Sequence, residues 1–284
     1  ERSVEWYQHV FGMPVQYTQE RPEGRVAILA VGSGPEHLAV YPANGAKPAI
    51  RHLGLGVPDY DRSLLYTTLV EHHIQPEWVR RNVSGGEVEE LWIRDPDGLR
   101  ILLQDTSYCG GQGSLGDVCP EPWRTAPART PAPLAVKAWN HLTYQVTAVE
   151  RSVRFYQRVF DLRMRTMDYR QNEPIKLLGI VGGPQTVNPS FGVGPPLSGH
   201  FCLGVENWDY NRVVQALRDA GANPPPVSGD VRPGCCGSTE VYNHKETTRV
   251  RDPDGFSVQV TDVSFCGGTG DLGEICPGQL GTEA

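Results

Sequence analysis

Residues 94–119 read RDPDGLRILLQDTSYCGGQGSLGDVC, and residues 251–276 read RDPDGFSVQVTDVSFCGGTGDLGEIC. A second pair lies earlier in each half: residues 1–11 are ERSVEWYQHVF and residues 150–160 are ERSVRFYQRVF. A chain of 284 residues fits one large domain or two of ordinary size, and the duplication decides for two. What the copies share reports architecture. Where they differ, one copy can carry chemistry that the other lacks.

Residues 120–134 (PEPWRTAPARTPAPL) are rich in proline and alanine and have no hydrophobic period, which reads as an extended linker. The expected division is 1–119, the linker 120–134, 135–276, and a polar tail 277–284. In the second half an alternating strand over 141–146 precedes a helix with Val153, Tyr156 and Phe160 on one face. Val4, Tyr7 and Phe11 repeat that stripe, and the matching strand would fall before residue 1. Strands are expected over 25–31, 37–41, 164–169 and 176–181, followed by a Gly/Pro-rich stretch to residue 196.

A new unit then opens in each half, RHLGLGVPDYDRSLLYTTLVEHH from Arg51 and GHFCLGVENWDYNRVVQALRDAG from Gly199. Each reads as a strand, a polar turn and an amphipathic helix, the second closed by Gly221. Each half ends with a strand, a D-P-D-G hairpin turn and a final strand. The plan is α+β, with four βαβββ modules, two per half, the first lacking its opening strand.

The net charge of −7 argues against a nucleic-acid partner, and no apolar run approaches the ~20 residues that span a bilayer. Seven cysteines are present, and Cys109 with Cys119, and Cys266 with Cys276, occupy equivalent C-G-G-x-G-x-L-G-x-x-C loops. These pairs fit loop-closing disulfides, free thiols or two-cysteine metal sites; disulfides would imply an exported or periplasmic setting. Cys235 and Cys236 are adjacent, and Cys202 is the natural unpaired thiol.

Paired βαβββ modules, a histidine on a module's first strand and D-P-D-G before its last resemble the vicinal oxygen chelate superfamily. That group includes glyoxalase I, bleomycin-resistance proteins and extradiol dioxygenases. The resemblance implies two cup-shaped mixed-sheet domains, each cup enclosing a small-molecule site that often holds a divalent metal. The family's ligand positions fall on His141, His200 and Gln259 in the second half. Strand alternation puts His141, Thr143 and Gln145 on one face, and Ser257, Gln259 and Thr261 on one face. In the first half His52 matches His200, but Leu102 matches Gln259 and cannot ligate a metal. The second half is therefore expected to carry the site, with one Fe, Mn, Ni or Zn ion, as in two-domain extradiol dioxygenases. Gln259 stands where those enzymes have a glutamate, which leaves the donors uncharged.

The extradiol likeness further implies an acid/base histidine, for which His244 is the candidate. It also implies a tyrosine about ten residues before the last ligand; Arg249 or Arg251 stands there, with Tyr242 as a substitute. For His244 the solvent-exposed loop reading is the stronger one, and Tyr242 serves only if its loop folds back. Extradiol-like oxidation of a small oxygen-bearing substrate is the leading expectation. Glyoxalase-like lyase or isomerase chemistry suits the glutamine. A metal-free binder, with Trp139, Trp208 and Tyr242 lining its pocket, treats the histidines as satisfied strand residues. Asp95, Asp97, Asp252 and Asp254 read as turn formers, with Arg94 and Arg251 pairing locally. A homodimer is compatible with all of this.

Overall fold

Both eleven-residue repeats form helices because their apolar residues fall on one face. Helix α1 (Arg2–Phe11) buries Tyr7, Val10 and Phe11 and ends at Gly12, whose φ of 64° is the left-handed conformation of a helix stop. The computed structural model describes residues 1–32, 35–83, 86–106, 108, 132–167, 175–180, 185–190, 197–224, 247–263 and 265. The first half continues with β1 (Val15–Arg21), β2 (Gly24–Ala30), β3 (His37–Val40), β4 (His52–Val57), α2 (Arg62–Glu71), β5 (Glu77–Val83), β6 (Gly86–Arg94) and β7 (Arg100–Asp105). The second half gives β8 (Val136–Gln145), α3 (Val149–Phe160), β9 (Arg163–Met167), β10 (Ile175–Gly179), β11 (Thr186–Ser190), β12 (Gly199–Val205), α4 (Tyr210–Asp219), β13 (Thr247–Arg251) and β14 (Ser257–Asp262). No helix among the described residues is long and apolar enough to cross a membrane.

The described residues form three sheets: β1-β2-β3, β4-β7-β6-β5, and a seven-stranded sheet β13-β14-β12-β8-β11-β10-β9. Strand β8 makes the difference between the halves. It pairs parallel with β11 and antiparallel with β12, joining both second-half modules into one sheet. Among the described residues the first-half strands form two separate sheets.

Several elements differ from the sequence expectation. Strand β1 (VQYTQER) is polar on both faces and carries no apolar signal. Strand β11 (TVNPS) lies inside the Gly/Pro-rich stretch, where a proline argues against a strand. Strand β8 begins five residues earlier than expected, while β4-α2-β5-β6-β7 follows the βαβββ order. The linker residues 120–131, the tail and the cysteine loops lie outside the described residues.

The two repeated motifs hold the halves together. Each D-P-D-G turn reaches the other half's helix. Asp95 Oδ1 accepts the backbone N–H of Asp97 and Leu99, which shapes the turn. Its other oxygen accepts from Tyr144 Oη at 2.9 Å and from Tyr156 Oη at 3.4 Å. Asp97 accepts from Thr147 N and Oγ1, Arg151 Nη2 and Ser152 Oγ, at 2.6–3.1 Å. The reciprocal contacts run from Tyr7 Oη to Asp252 at 3.1 Å, from Arg2 Nη2 to Asp254 at 2.8 Å, and from Ser3 Oγ to Asp254. Arg94 and Arg251 do not pair with these carboxylates; they donate to the Gly98 and Gly255 carbonyls, because the turn amides and the opposite helix already engage the aspartates.

Burial pulls the Asp97 carboxyl up, but donation from Thr147, Ser152 and Arg151 outweighs it and holds its pKa below the usual carboxylate range. A depressed folded-state pKa stabilises the fold above the unfolded value and loses that contribution as pH falls through the folded one. Asp97→Ala is expected to lower stability by about 2–4 kcal/mol in urea melts at pH 7, by stranding several donors. The gap between wild type and variant should shrink as the pH drops below about 3.9, the unfolded carboxyl value. A change under about 0.5 kcal/mol, typical of an ordinary surface residue, would refute the clasp.

Candidate metal centre

Strand β12 lies between β8 and β14, so residues opposite one another line up across the sheet. Cys202 is the register partner of both His141 and Gln259, and Gln259 in turn faces Arg249 on β13. One row on a single face of the sheet therefore reads His141, Cys202, Gln259, Arg249. His200 sits one step along, opposite Thr143 and Ser257. The other face of these strands packs into the core through Leu142, Phe201, Leu203, Val258 and Val260.

The three side chains singled out in the sequence converge. His141 Nε2 lies 3.2 Å from His200 Nε2, with the rings edge to face at 82°. The Gln259 carboxamide lies beside both imidazoles. All three are buried, at 6%, 8% and 6% exposure, so ionising either ring there costs desolvation energy. Burial, with the Arg249 cation nearby, pushes the His141 pKa down to about 3 and the His200 pKa well below its ordinary value.

A β-bulge orients the first imidazole. Opposite β12 the register jumps from His141 to Trp139, leaving Asn140 unpaired. The bulge brings Asn140 beside His141 and turns Trp139 to the core side, where it stacks on Phe201 at 5.0 Å. Trp139 is thus a core residue, and Trp208 packs against the same core; neither supports a ligand-lining role. Asn140 Nδ2 donates to the Phe265 carbonyl at 2.6 Å, so the amide oxygen must be the atom facing His141 Nδ1 at 2.8 Å. That oxygen can only accept, so the His141 proton is on Nδ1 and Nε2 carries a bare lone pair.

Arg249 Nη2 donates to Gln259 Oε1 at 3.2 Å and faces His200 Nε2 at 3.4 Å. A guanidinium has no lone pair to offer, so His200 Nε2 is an acceptor as well. Three acceptors, the two Nε2 atoms and Oε1, thus crowd one small volume. Nitrogens bound to one ion at about 2.0–2.1 Å lie about 3–3.4 Å apart. The donor set and spacing fit a divalent ion; the donors themselves bring no negative charge. The set includes a carboxamide, and among the described residues no three His, Cys, Asp or Glu side chains cluster as a metal site.

The first half fills the same positions differently. Gly54, Leu102 and Trp92 occupy the row of Cys202, Gln259 and Arg249. Leu102 packs with Trp92 and Tyr108, Arg100 lies over the Trp92 ring at 4.2 Å, and His52 meets that ring edge-on at 5.1 Å. His52 is an aromatic packing partner in a filled cup. Cys202 is a buried free thiol. His244, Tyr242, Cys109, Cys119, Cys235, Cys236, Cys266 and Cys276 lie outside the described residues. Sequence reasoning missed Asn140 altogether and left Arg249 without a role. Comparing the copies exposes the second, since Arg249 stands where the first copy has Trp92.

Residues 1–103 match the model of the Glyoxalase/Bleomycin resistance protein/Dioxygenase superfamily. That match spans 103 of the 284 residues and marks this part of the chain as similar to the superfamily. Lactoylglutathione lyase of Salmonella typhimurium is 29% identical over 126 residues, 39% of this chain and 87% of that protein. The Escherichia coli O157:H7 enzyme is 28% identical over the same length and shares. Among solved structures, the 2,3-dioxygenase LapB from Pseudomonas sp. KL28 aligns with a TM-score of 0.62 at 15% identity, covering 92% of this chain and 87% of that one. Homoprotocatechuate 2,3-dioxygenase from Arthrobacter globiformis aligns at 0.59 and 13%, covering 92% and 75%. At these identities the structural likeness establishes the fold.

In the ion-free protein, nitrogen-15 NMR should find His141 neutral from pH 8 to pH 5, with its proton on Nδ1. A protonation midpoint near the ordinary histidine value of about 6.5 would contradict the burial and tautomer described.

Proposed function

We propose that the second half is a metal-dependent vicinal oxygen chelate site for a small oxygen-bearing substrate, with extradiol-dioxygenase-like oxidation as its reaction. The observation that carries this reading is the convergence of His141 Nε2, His200 Nε2 and Gln259 Oε1, three acceptors facing one another in a buried volume. Mutual repulsion of such lone pairs is relieved by a cation among them. These three atoms would hold one iron, manganese, nickel or zinc ion. When bound, the ion supplies Lewis-acid polarisation of two neighbouring substrate oxygens.

The chain's own groups prepare the site. Asn140 fixes the His141 ring and keeps Nε2 unprotonated. Burial keeps both rings neutral, so no proton has to leave them before an ion enters. Along β11, Thr186 and Asn188 face His141 and Thr143, giving the substrate a polar wall. Asn188 donates to Thr143 Oγ1 at 3.2 Å, while its carbonyl oxygen is buried with no hydrogen-bond partner among the described residues. That oxygen suits a substrate hydroxyl.

The dioxygenase reading takes support from the two-half layout shared with the dioxygenase structures. A glyoxalase-like lyase is the second reading, favoured by the carboxamide donor and by the lactoylglutathione lyases among the relatives.

Metal analysis of purified protein tests the proposal. One equivalent of a divalent ion is expected, lost in His141→Ala and His200→Ala. Asn140→Ala should weaken ion binding about 10- to 100-fold, the usual effect of removing a partner that orients a ligating histidine. Oxygen uptake with catechols selects the dioxygenase; isomerisation of a hemithioacetal selects the lyase. Protein that binds no divalent ion, with small-molecule affinity unchanged in both histidine variants, would overturn the metal reading in favour of a metal-free binder.

A further inference from the structure

The role assigned to Glu36 here rests on the three-donor reading and deepens it. Opposite β12, strand β8 skips register twice, at Asn140 and again at Lys137. Val136 and Leu142 both lie in the core, at even spacing. A regular strand between them would also send Ala138 and Asn140 to the core, and would turn Trp139 to the His141 face. The two skips reverse this. Trp139 enters the core, where it stacks on Phe201 at 5.0 Å, and Asn140 is left beside His141 Nδ1 at 2.8 Å. A skip breaks the ladder, and the backbone groups it releases need other partners.

One connection of the first half, between β2 and β3, touches both skips. The Val31 N–H donates to the Glu36 carbonyl at 2.9 Å, which closes that connection. Gly32, at a φ of 62°, comes so near the Lys137 carbonyl that any side chain would collide with it. Glu36 Oε2 accepts the Trp139 N–H at 2.7 Å, and Oε1 accepts from Gln185 Nε2 at 3.5 Å, beside the start of β11. The first half thus abuts the carbonyl at one skip and holds the N–H next to the other.

We propose that Glu36 is a positioning residue for the metal centre: by holding the Trp139 N–H it keeps both skips in β8, and so keeps Asn140 on the His141 ring. Without that acceptor the N–H loses its partner, and β8 gains by relaxing toward the regular register. Asn140 then turns to the core, and His141 Nδ1 loses the oxygen that fixes its tautomer. Glu36 acts only through the strand. The half whose own cup holds Leu102 and Trp92 thereby shapes the site in the other.

The test measures Mn²⁺ affinity by calorimetry on the whole chain, in wild type, Glu36→Ala, Glu36→Gln, Asn140→Ala, and Glu36→Ala combined with Asn140→Ala. Glu36→Ala should weaken binding about 10- to 100-fold, as loss of a ligand-orienting partner does. Glu36→Gln keeps an acceptor oxygen and should recover most of it. Both residues act through one imidazole, so the combined variant should bind no more weakly than Asn140→Ala alone; residues acting independently would give losses that add. In ion-free protein, nitrogen-15 NMR should show the His141 proton leaving Nδ1 in Glu36→Ala and staying there in Glu36→Gln. Should Glu36→Ala fail to fold, Glu36→Asp, which withdraws the oxygen by one methylene, replaces it in both measurements. Wild-type Mn²⁺ affinity in the folded variant, or losses that add, overturns the inference and leaves the metal reading standing. A tautomer indifferent to Glu36 overturns it with or without the ion. A tautomer that depends on Glu36 in protein that takes up no Mn²⁺ sinks the metal reading and leaves the positioning role standing.

Discussion

The bulge at Asn140 sets the second-half site. A regular strand alternates its side chains and could not present Asn140 and His141 to the same region. By leaving Asn140 out of the β12 register, β8 brings two adjacent polar side chains into contact and turns Trp139 toward the core. The bulge also frees the Trp139 N–H, which donates to Glu36 of the first half at 2.7 Å. Close by, Gly32 approaches the Lys137 carbonyl so tightly that a Cβ would lie 1.9 Å from the oxygen. The first half thus buttresses the strand that carries His141. An irregularity that would otherwise leave a buried donor unpaired is held by a specific contact.

The reciprocal turns do the complementary work. One oxygen of Asp95 or Asp252 shapes its own turn, and the other holds a tyrosine of the opposite half. Asp97 and Asp254 grip the first turns of α3 and α1. The D-P-D-G turn and the R-S-x-x-x-Y helix motif are two sides of one contact made twice. This explains why the first half keeps both motifs while its cup holds Leu102 and Trp92 in place of a polar set.

Much of this was legible in the sequence. Apolar spacing gave α1 and α3. Strand alternation put His141 and Gln259 on inward faces. The misses have physical causes. A polar strand such as β1 has no hydrophobic period to read, and Pro189 hides β11. A bulge is invisible to a two-residue period, so Asn140 looked like an ordinary neighbour of His141. Arg94 and Arg251 looked like partners of adjacent aspartates because the true partners lie some 50 to 250 positions away in sequence. Arg249 was noticed only as a residue in the wrong place for a tyrosine. Its meaning came from the register that sets it opposite Gln259.

The electrostatics of the site follow from what surrounds the donors. The imidazoles are neutral because they are buried beside a guanidinium, and their lone pairs converge because Asn140 and Arg249 leave each Nε2 as an acceptor. The direct measurement is an anomalous difference map from crystals equilibrated with Mn²⁺ or Zn²⁺, recorded at the absorption edge. The account predicts one peak within about 2.0–2.3 Å of His141 Nε2, His200 Nε2 and Gln259 Oε1 together. No peak there, or a peak at other residues with these three atoms still in mutual contact, would contradict it.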